Sequence, residues 1–375
     1  MNEREETTKR HQEESLKQLE AFWRITTPDT FRKLYTHSPE PFLAPCEFYP
    51  LRLIVQGAGR TFGVLPQFLP FGRVVGVGGF YGFYVTPETA QGNLPVVYWE
   101  EDEMYMRPIA SDFDAFLRYC LLVGRYEMEE DWPDAEGDWQ EAEDLQTLLE
   151  VLNIPQTLLQ GDPPRNETEL YERIVRLDPQ SALSLCHLGC VHRAQGNTEH
   201  ALDFYYRASE ACPWFGDIPY LIADIYRDKG QWERAVQHYW SIVQTPLPLC
   251  TRTMNWDLGE DHPEADIYEV AADMLNQLQK HATSEMKASP LWRAVTQEDP
   301  YDPDVREALG NLYCDQNELP LAEKEYLNAL SLCYAERGQQ PLRLYDALIG
   351  LYERTGQSRE AGLTRHDRLL PRTLL

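Results

Sequence analysis

The sequence predicts two folded parts of different class, an α+β domain followed by an all-α solenoid, and three observations carry that reading. The pattern Leu188, Gly189, Gly196, Ala201, Tyr205, Ala208 returns thirty-four residues later as Ile222, Ala223, Gly230, Ala235, Tyr239, Ile242, a period at which helical hairpins stack. Residues 51–99 have another grammar, short stretches rich in β-branched and aromatic residues separated by Gly and Pro. Between the two parts, residues 127–144 hold ten acidic side chains and no basic one. A chain of 375 residues with 43% apolar and 11% aromatic content is long enough for two cores. The predicted division is 1–126 for the α+β domain, 127–165 for an acidic linker and 166–375 for the array.

In the first part, Leu16, Leu19, Phe22 and Trp23 predict a helix, and residues 28–35 a second one, with Phe31, Leu34 and Tyr35 as its apolar stripe. Residues 51–55, 74–77, 79–85 and 94–99 read as strands. Ser111 then caps a helix over 112–122, whose Phe113, Phe116, Leu117, Cys120 and Leu121 lie on one stripe. Helices first, an antiparallel sheet in the middle and a closing helix make an α+β arrangement. The ordered set Leu69-Pro70-Phe71-Gly72, Gly76-Val77-Gly78-Gly79-Phe80-Tyr81-Gly82-Phe83-Tyr84-Val85, Pro95-Val96-Val97-Tyr98-Trp99 and Ile109-Ala110-Ser111-Asp112-Phe113-Asp114-Ala115-Phe116-Leu117 resembles the SUKH superfamily of Smi/Knr-like proteins over roughly 15–123. Thr27 stands where that family's early helix usually has leucine, and the asparagine-glycine pair that usually follows is missing. The resemblance implies a twisted antiparallel sheet with flanking helices, and a domain that binds proteins without catalytic residues.

In the second part, the small residues Gly189/Ala223 and Ala201/Ala235 let two helices of a hairpin approach closely, and Tyr205/Tyr239 fill the space between hairpins. The unit resembles the tetratricopeptide repeat, whose arrays present a concave surface to partner segments. Residues 167–177 read as the second helix of an incomplete leading unit. Leu309, Gly310, Tyr313, Asn317, Ala322, Tyr326 and Ala329 repeat the spacing downstream, Leu275, Ala288, Trp292, Val295 and Pro300 match it more weakly, and Leu348, Tyr352, Gly356 and Ala361 form a last hairpin. That hairpin has Arg365 at the aromatic position, as a polar cap would. An insert near 250–266, with Thr251, Met254, Trp256, Asp257 and His262, breaks the register, and the connection at 338–341 gains about five residues.

Composition narrows the function. The formal net charge is -27, and no basic patch is available for phosphate contacts, which excludes direct nucleic-acid binding. No apolar run reaches the roughly eighteen residues of a membrane span, and residues 1–20 are charged throughout, so a cytoplasmic protein is expected. The eight scattered cysteines read as reduced, packed thiols rather than a disulfide framework. The glycines at 76–82 lack a following Gly-Lys-Ser/Thr, and Cys186, His187, Cys190 and His192 lack the second ligand pair a zinc site draws on. No nucleophile, cofactor or metal motif is present, and no enzyme is expected.

Partner recognition remains, and the candidates are specific. Arg193 and Arg227 lie one period apart, four residues after Gly189 and Ala223, where the repeat family's first helices face the groove. Two stacked guanidinium groups suit a carboxylate or an acidic peptide. Arg227 is also spaced to pair with Asp224 or Asp228 on its own helix. Tyr220 and Asn311 are further groove candidates, and Phe83, Tyr84 and Trp99 are apolar ones in the first domain. The turn Glu100, Glu101, Asp102, Glu103 is a solvated loop that a basic partner would meet. The expected function is a protein or peptide-binding scaffold. The alternative that the family resemblance implies is an immunity protein neutralising a toxin, possibly a basic nuclease, by direct binding; an enzyme with an unrecognised site is the third class.

Overall fold

Aromatic side chains from four separate elements meet to form the core of the first half. Phe31 lies 5.4 Å from Phe83 and 5.1 Å from Phe113, ring centre to ring centre, and Phe71 lies 4.8 Å from Phe83 and 5.5 Å from Phe116. Such edge-on and tilted ring pairs each add to the burial itself. The computed structural model describes residues 3–38, 41–43, 45–55, 65–74, 78–86, 89–90, 92–100, 104–131, 142–158, 162–251, 266–337 and 341–369. Chain contacts divide into two units, one made mainly of residues up to Leu188 and the other mainly of residues from Gly189 onward.

The first unit opens with α1 (Glu3–Trp23) and α2 (Asp29–His37), which bury Leu16, Leu19, Trp23, Phe31, Leu34 and Tyr35 as the apolar spacing predicts. Six strands follow in consecutive order: β1 (Phe42–Leu43), β2 (Cys46–Phe48), β3 (Phe68–Val74), β4 (Phe80–Tyr84), β5 (Val96–Glu100) and β6 (Tyr105–Ala110). The pairs from β1 to β5 are all antiparallel. Pro70 is accommodated in β3 because the register against β4 shifts between Pro70 and Gly72, the irregularity at which a sheet tolerates a residue without an N–H. Gly82 stands opposite Pro70, and a Cβ there would meet Leu69 O at 2.5 Å; that glycine serves strand packing.

Several elements differ from the sequence reading. Residues Leu51–Val55, expected as a strand, form the short helix α3, in which Leu53 N and Ile54 N both donate to Pro50 O. Leu51 and Ile54, three apart, are the buried pair, a helical period that five residues were too few to reveal. Strands β1, β2 and β6 were not expected, and β3 shares only Val74 with the strand expected at 74–77, the rest of which lies outside the described residues. The closing helix α4 (Phe113–Asp131) runs beyond Leu122. The expected linker, 127–165, contains α5 (Ala142–Leu152), which packs on α2 and buries Leu148, Leu149 and Leu152. Acidic residues and an apolar stripe coexist there because only one helix face needs to be apolar.

Helix α6 (Glu167–Leu177), expected to begin the array, belongs with the first unit. It is capped by Asn166, whose side chain accepts from Glu169 N, and Leu170 and Ile174 pack on Leu122 and Val123 of α4. Just beyond it, the buried Asp178 accepts hydrogen bonds from Ser111 N at 2.9 Å and Ser111 Oγ at 2.7 Å.

The array itself consists of helical hairpins: α7 (Ala182–Ala194) with α8 (Thr198–Ala211), α9 (Asp217–Asp228) with α10 (Trp232–Val243), α14 (Pro303–Asp315) with α15 (Leu319–Arg337), and α16 (Leu342–Arg354) with α17 (Ser358–Leu369). The weak copy between them is α11 (Ile267–Gln277), then α12 (Ser284–Ala288) and α13 (Pro290–Thr296), its second helix broken at Ser289 before Pro290. The inter-helix turns carry the left-handed residues Gly196 (φ 78), Gly230 (φ 66), Asn317 (φ 63) and Gly356 (φ 73) at equivalent repeat positions; asparagine fills one because its side chain tolerates that region. Thr251 is buried, and the rest of the insert, with Met254, Trp256, Asp257 and His262, lies outside the described residues.

Past the insert, a buried polar network sets the register. Arg306 Nη1 donates to Glu325 Oε2 at 3.0 Å, Nη2 to Tyr268 OH at 2.7 Å and Nε to Pro300 O at 2.7 Å. Lys324 Nζ lies 2.7 Å from Glu325 Oε1 and donates to Val243 O at 3.2 Å, and Asn328 Oδ1 accepts from Leu247 N at 2.8 Å. Burial works against the charge on Glu325, yet Lys324 and Arg306 outweigh it and hold the carboxyl below its ordinary range.

In the hairpins α7–α8 and α14–α15, close helix approach depends on the glycine that faces the tyrosine, Gly189 and Gly310. A Cβ on Gly310 would stand 2.8 Å from the Tyr326 ring, whereas one on Gly350, inside α16, would meet nothing within 4 Å. Gly310→Ala should therefore lower stability by about 1–3 kcal/mol, and Gly350→Ala should raise it by about 0.5–1 kcal/mol. Urea unfolding of both variants checks this; equal shifts of one sign would refute the packing account.

Candidate functional site

Helix α9 puts Tyr220, Asp224, Arg227 and Asp228 on one side, because residues three and four apart share a helix face. Arg193, in the last turn of α7, comes to the same place. Asp224 is bridged by both guanidinium groups, its Oδ2 paired with Arg193 Nη2 and its Oδ1 with Arg227 Nη2. Asp228 repeats the bridge, Oδ2 at 2.7 Å from Arg193 Nη2 and Oδ1 at 3.3 Å from Arg227 Nη2. The four side chains thus alternate in charge around a ring. Exposure grades outward: 0% for the Asp224 side chain, 13% for Arg193, 27% for Arg227 and 51% for Asp228.

The electrostatics follow from that grading. Burial opposes the charge of both arginines, and the attraction of Asp224 and Asp228 outweighs it, so each guanidinium is held protonated more firmly than usual. Tyr220 is pushed up to about 12, by burial first and then by Asp224, with both arginines acting in the opposite direction. The ring is a charge-balanced, half-buried polar centre suited to exchanging one carboxylate for another.

The remaining candidates separate. Asn311 is exposed on α14 and accepts from Tyr326 OH at 2.8 Å. Phe83 and Trp99 are fully buried and Tyr84 nearly so; they pack the sheet and offer no surface, a correction to the sequence reading, which could not tell which strand face was covered. Glu100 ends β5 half-buried, and Glu101, Asp102 and Glu103 lie outside the described residues. Cys186 is buried, His187 stacks on Tyr171 at 4.0 Å, Cys190 accepts from Tyr205 OH at 3.2 Å and His192 stacks on Phe204 at 5.2 Å. Among the described residues no group of three His, Cys, Asp or Glu side chains is placed to hold a metal, and no helix is long and apolar enough to cross a membrane.

Sequence reasoning missed a second buried carboxylate on α9. Asp217 Oδ1 accepts from Thr251 N at 3.0 Å and its Oδ2 from Thr251 Oγ1 at 2.6 Å, fastening the chain where the insert begins. Burial pushes its pKa up to about 7 from 3.8, Asp266 adds repulsion, and the Thr251 hydrogen bonds and Arg107 pull the other way. A visible hint was its place as the first residue of α9, three residues ahead of Tyr220 and immediately after Gly216.

Residues 12–119 match the model of the SMI1 / KNR4 family (SUKH-1), and residues 220–239, most of α9 and of α10, match a tetratricopeptide-repeat model. The chain therefore joins a SUKH-type α+β domain to a helical region of tetratricopeptide type. Solved structures that resemble it include YrrB, titled a TPR protein with an unusual peptide-binding site (13% identity, 54% of this chain and 92% of that one, TM-score 0.25). Others are pilF of Pseudomonas aeruginosa (14% identity, 70% and 95%, TM-score 0.26) and yeast Tom70 (13% identity, 65% and 48%, TM-score 0.25). No curated protein matches the chain.

Two expectations follow. Replacing both Arg193 and Arg227 by alanine leaves Asp224 buried without a counter-ion, which should cost about 3–5 kcal/mol; urea unfolding unchanged within error would show that the ring is not structural. For Asp217, the raised value means that the fold prefers the neutral acid. Its stabilising contribution is complete below about 3.8 and is lost as pH climbs through about 7. Asp217→Asn, which keeps an acceptor for Thr251 N, should gain in Tm over the parent protein at pH 8 and lose that gain at pH 5; parallel Tm curves across this range would refute it.

Proposed function

We propose that the chain is a non-catalytic, cytoplasmic adaptor, in which the helical array takes a carboxylate-bearing segment of a partner protein at the Arg193–Arg227 ring while the SUKH-type domain holds another protein. One observation carries the reading: two arginines one repeat apart converge on the same carboxylates. Guanidinium groups held in fixed geometry recognise a carboxylate by both direction and charge. The family match over 12–119 supports partner recognition by the first domain. The net charge of -27 favours a second reading, direct neutralisation of a basic toxin by the acidic surface.

The two are separable with one variant of the full chain. Arg193→Gln, Asp224→Asn and Arg227→Gln together remove two cations and the buried anion they neutralise, so the core keeps no orphaned charge. Cross-linked capture from the native host should lose a partner that the parent protein retains, with helical content unchanged by circular dichroism. A basic partner would instead stay bound to the variant and be released as salt is raised. Full retention at both low and high salt would sink both readings.

A further inference from the structure

Asp228 is the last residue of α9, where a carboxylate meets the negative end of the helix dipole and works against the helix. Helix formation therefore gives no reason for its charge. What engages it is the arginine pair, since its two oxygens reach Arg193 and Arg227 separately, at 2.7 and 3.3 Å. Asp224 spans the same two groups from the inner side. The aspartates are alike in geometry and opposite in mobility. Asp224, with its side chain 0% exposed, has no water to turn to; Asp228, at 51%, regains hydration as soon as it swings out.

We propose that Asp228 is an internal competitor: its carboxylate occupies the place between Arg193 and Arg227 that a partner's carboxylate takes, and the partner binds by displacing it. The proposal rests on the ring being the partner site. With Asp228 seated, two cations face two anions and the centre is neutral. With Asp228 displaced, Arg193, Arg227 and Asp224 leave one net positive charge, a local exception on a chain whose net charge is -27. The resident carboxylate thus lowers the affinity for any single acidic group, and favours segments that bring further contacts along with their carboxylate. The ligand chemistry is a peptide carboxylate, either an acidic side chain or a chain terminus.

Fluorescence anisotropy on the full chain at low salt tests this with two fluorescein-labelled probes, tetraglutamate with an amidated C-terminus and tetraalanine with a free one. Asp228→Asn should bind at least one probe about three- to tenfold more tightly than the parent protein, and which probe responds identifies the carboxylate source. Asp203→Asn removes the same charge from α8 and should leave the affinities unchanged; an equal gain there would reduce the effect to net charge and overturn the proposal. Binding lost in the Arg193→Gln, Asp224→Asn, Arg227→Gln variant, but not strengthened by Asp228→Asn, overturns the competitor while leaving the ring as the site. Binding that persists in that triple variant removes the ring reading itself. No binding of either probe to Asp228→Asn also overturns the proposal, because uncovered arginines would then take no carboxylate.

Discussion

Arg306 and Glu325 have no access to water, so Arg306 stays charged because Glu325 faces it, and Glu325 because Lys324 and Arg306 face it. Taking a lone ion of this size out of water costs several kcal/mol even after the protein relaxes, and loss of one partner typically costs about 3–5 kcal/mol. That penalty becomes a constraint on geometry. Arg306 and Glu325 lie on α14 and α15, and the groups completing their hydrogen bonds come from Tyr268 and Pro300; Lys324 and Asn328 extend the set to Val243 and Leu247. An insert interrupts the repeat between Val243 and Tyr268, and repeat-to-repeat periodicity alone no longer dictates where the next helices settle. A network that is satisfied in only one arrangement supplies the missing register.

The same rule, applied nearer the surface, produces the candidate site. Asp224 is as dry as Glu325, and two arginines from different repeats neutralise it. The difference is that this ring reaches solvent through Asp228, the most exposed of its four side chains, while Asp224 stays dry between the helices. On the proposed reading, structural and binding duties overlap in the same two arginines. Asp217 shows the opposite solution. Its strongest partners are the neutral groups of Thr251, and burial raises its pKa instead of a counter-ion lowering it. Dry carboxylates on α9 thus differ in what faces them, two guanidinium groups at Asp224 and a threonine at Asp217.

Local sequence determined the class of both halves. The thirty-four-residue period placed the hairpins from α7 to α10, and the downstream copies placed α14 to α17, because the left-handed turn residue recurs in all four hairpins and a glycine packs against a tyrosine in α7–α8 and α14–α15. The apolar stripes of α1, α2 and α4 were legible for the same reason. Convergence of Arg193 and Arg227 could be anticipated from their one-period separation, and pairing of Arg227 with its own helix from the three-residue spacing to Asp224.

Tertiary structure alone decided which faces are covered and which charges are dry. Five residues at Leu51–Val55 fit a strand or a helical turn equally well until Pro50 and the neighbouring elements chose. Phe83 and Trp99 read as surface aromatics until the core closed over them. Arg306 and Glu325 lie 19 residues apart with no local pattern to link them, and the one-period separation of Asp217 and Thr251 does not show that either is dry. Periodicity is a property of neighbours along the chain and survives in the sequence; desolvation depends on atoms brought from elsewhere, and exists only once the chain has folded.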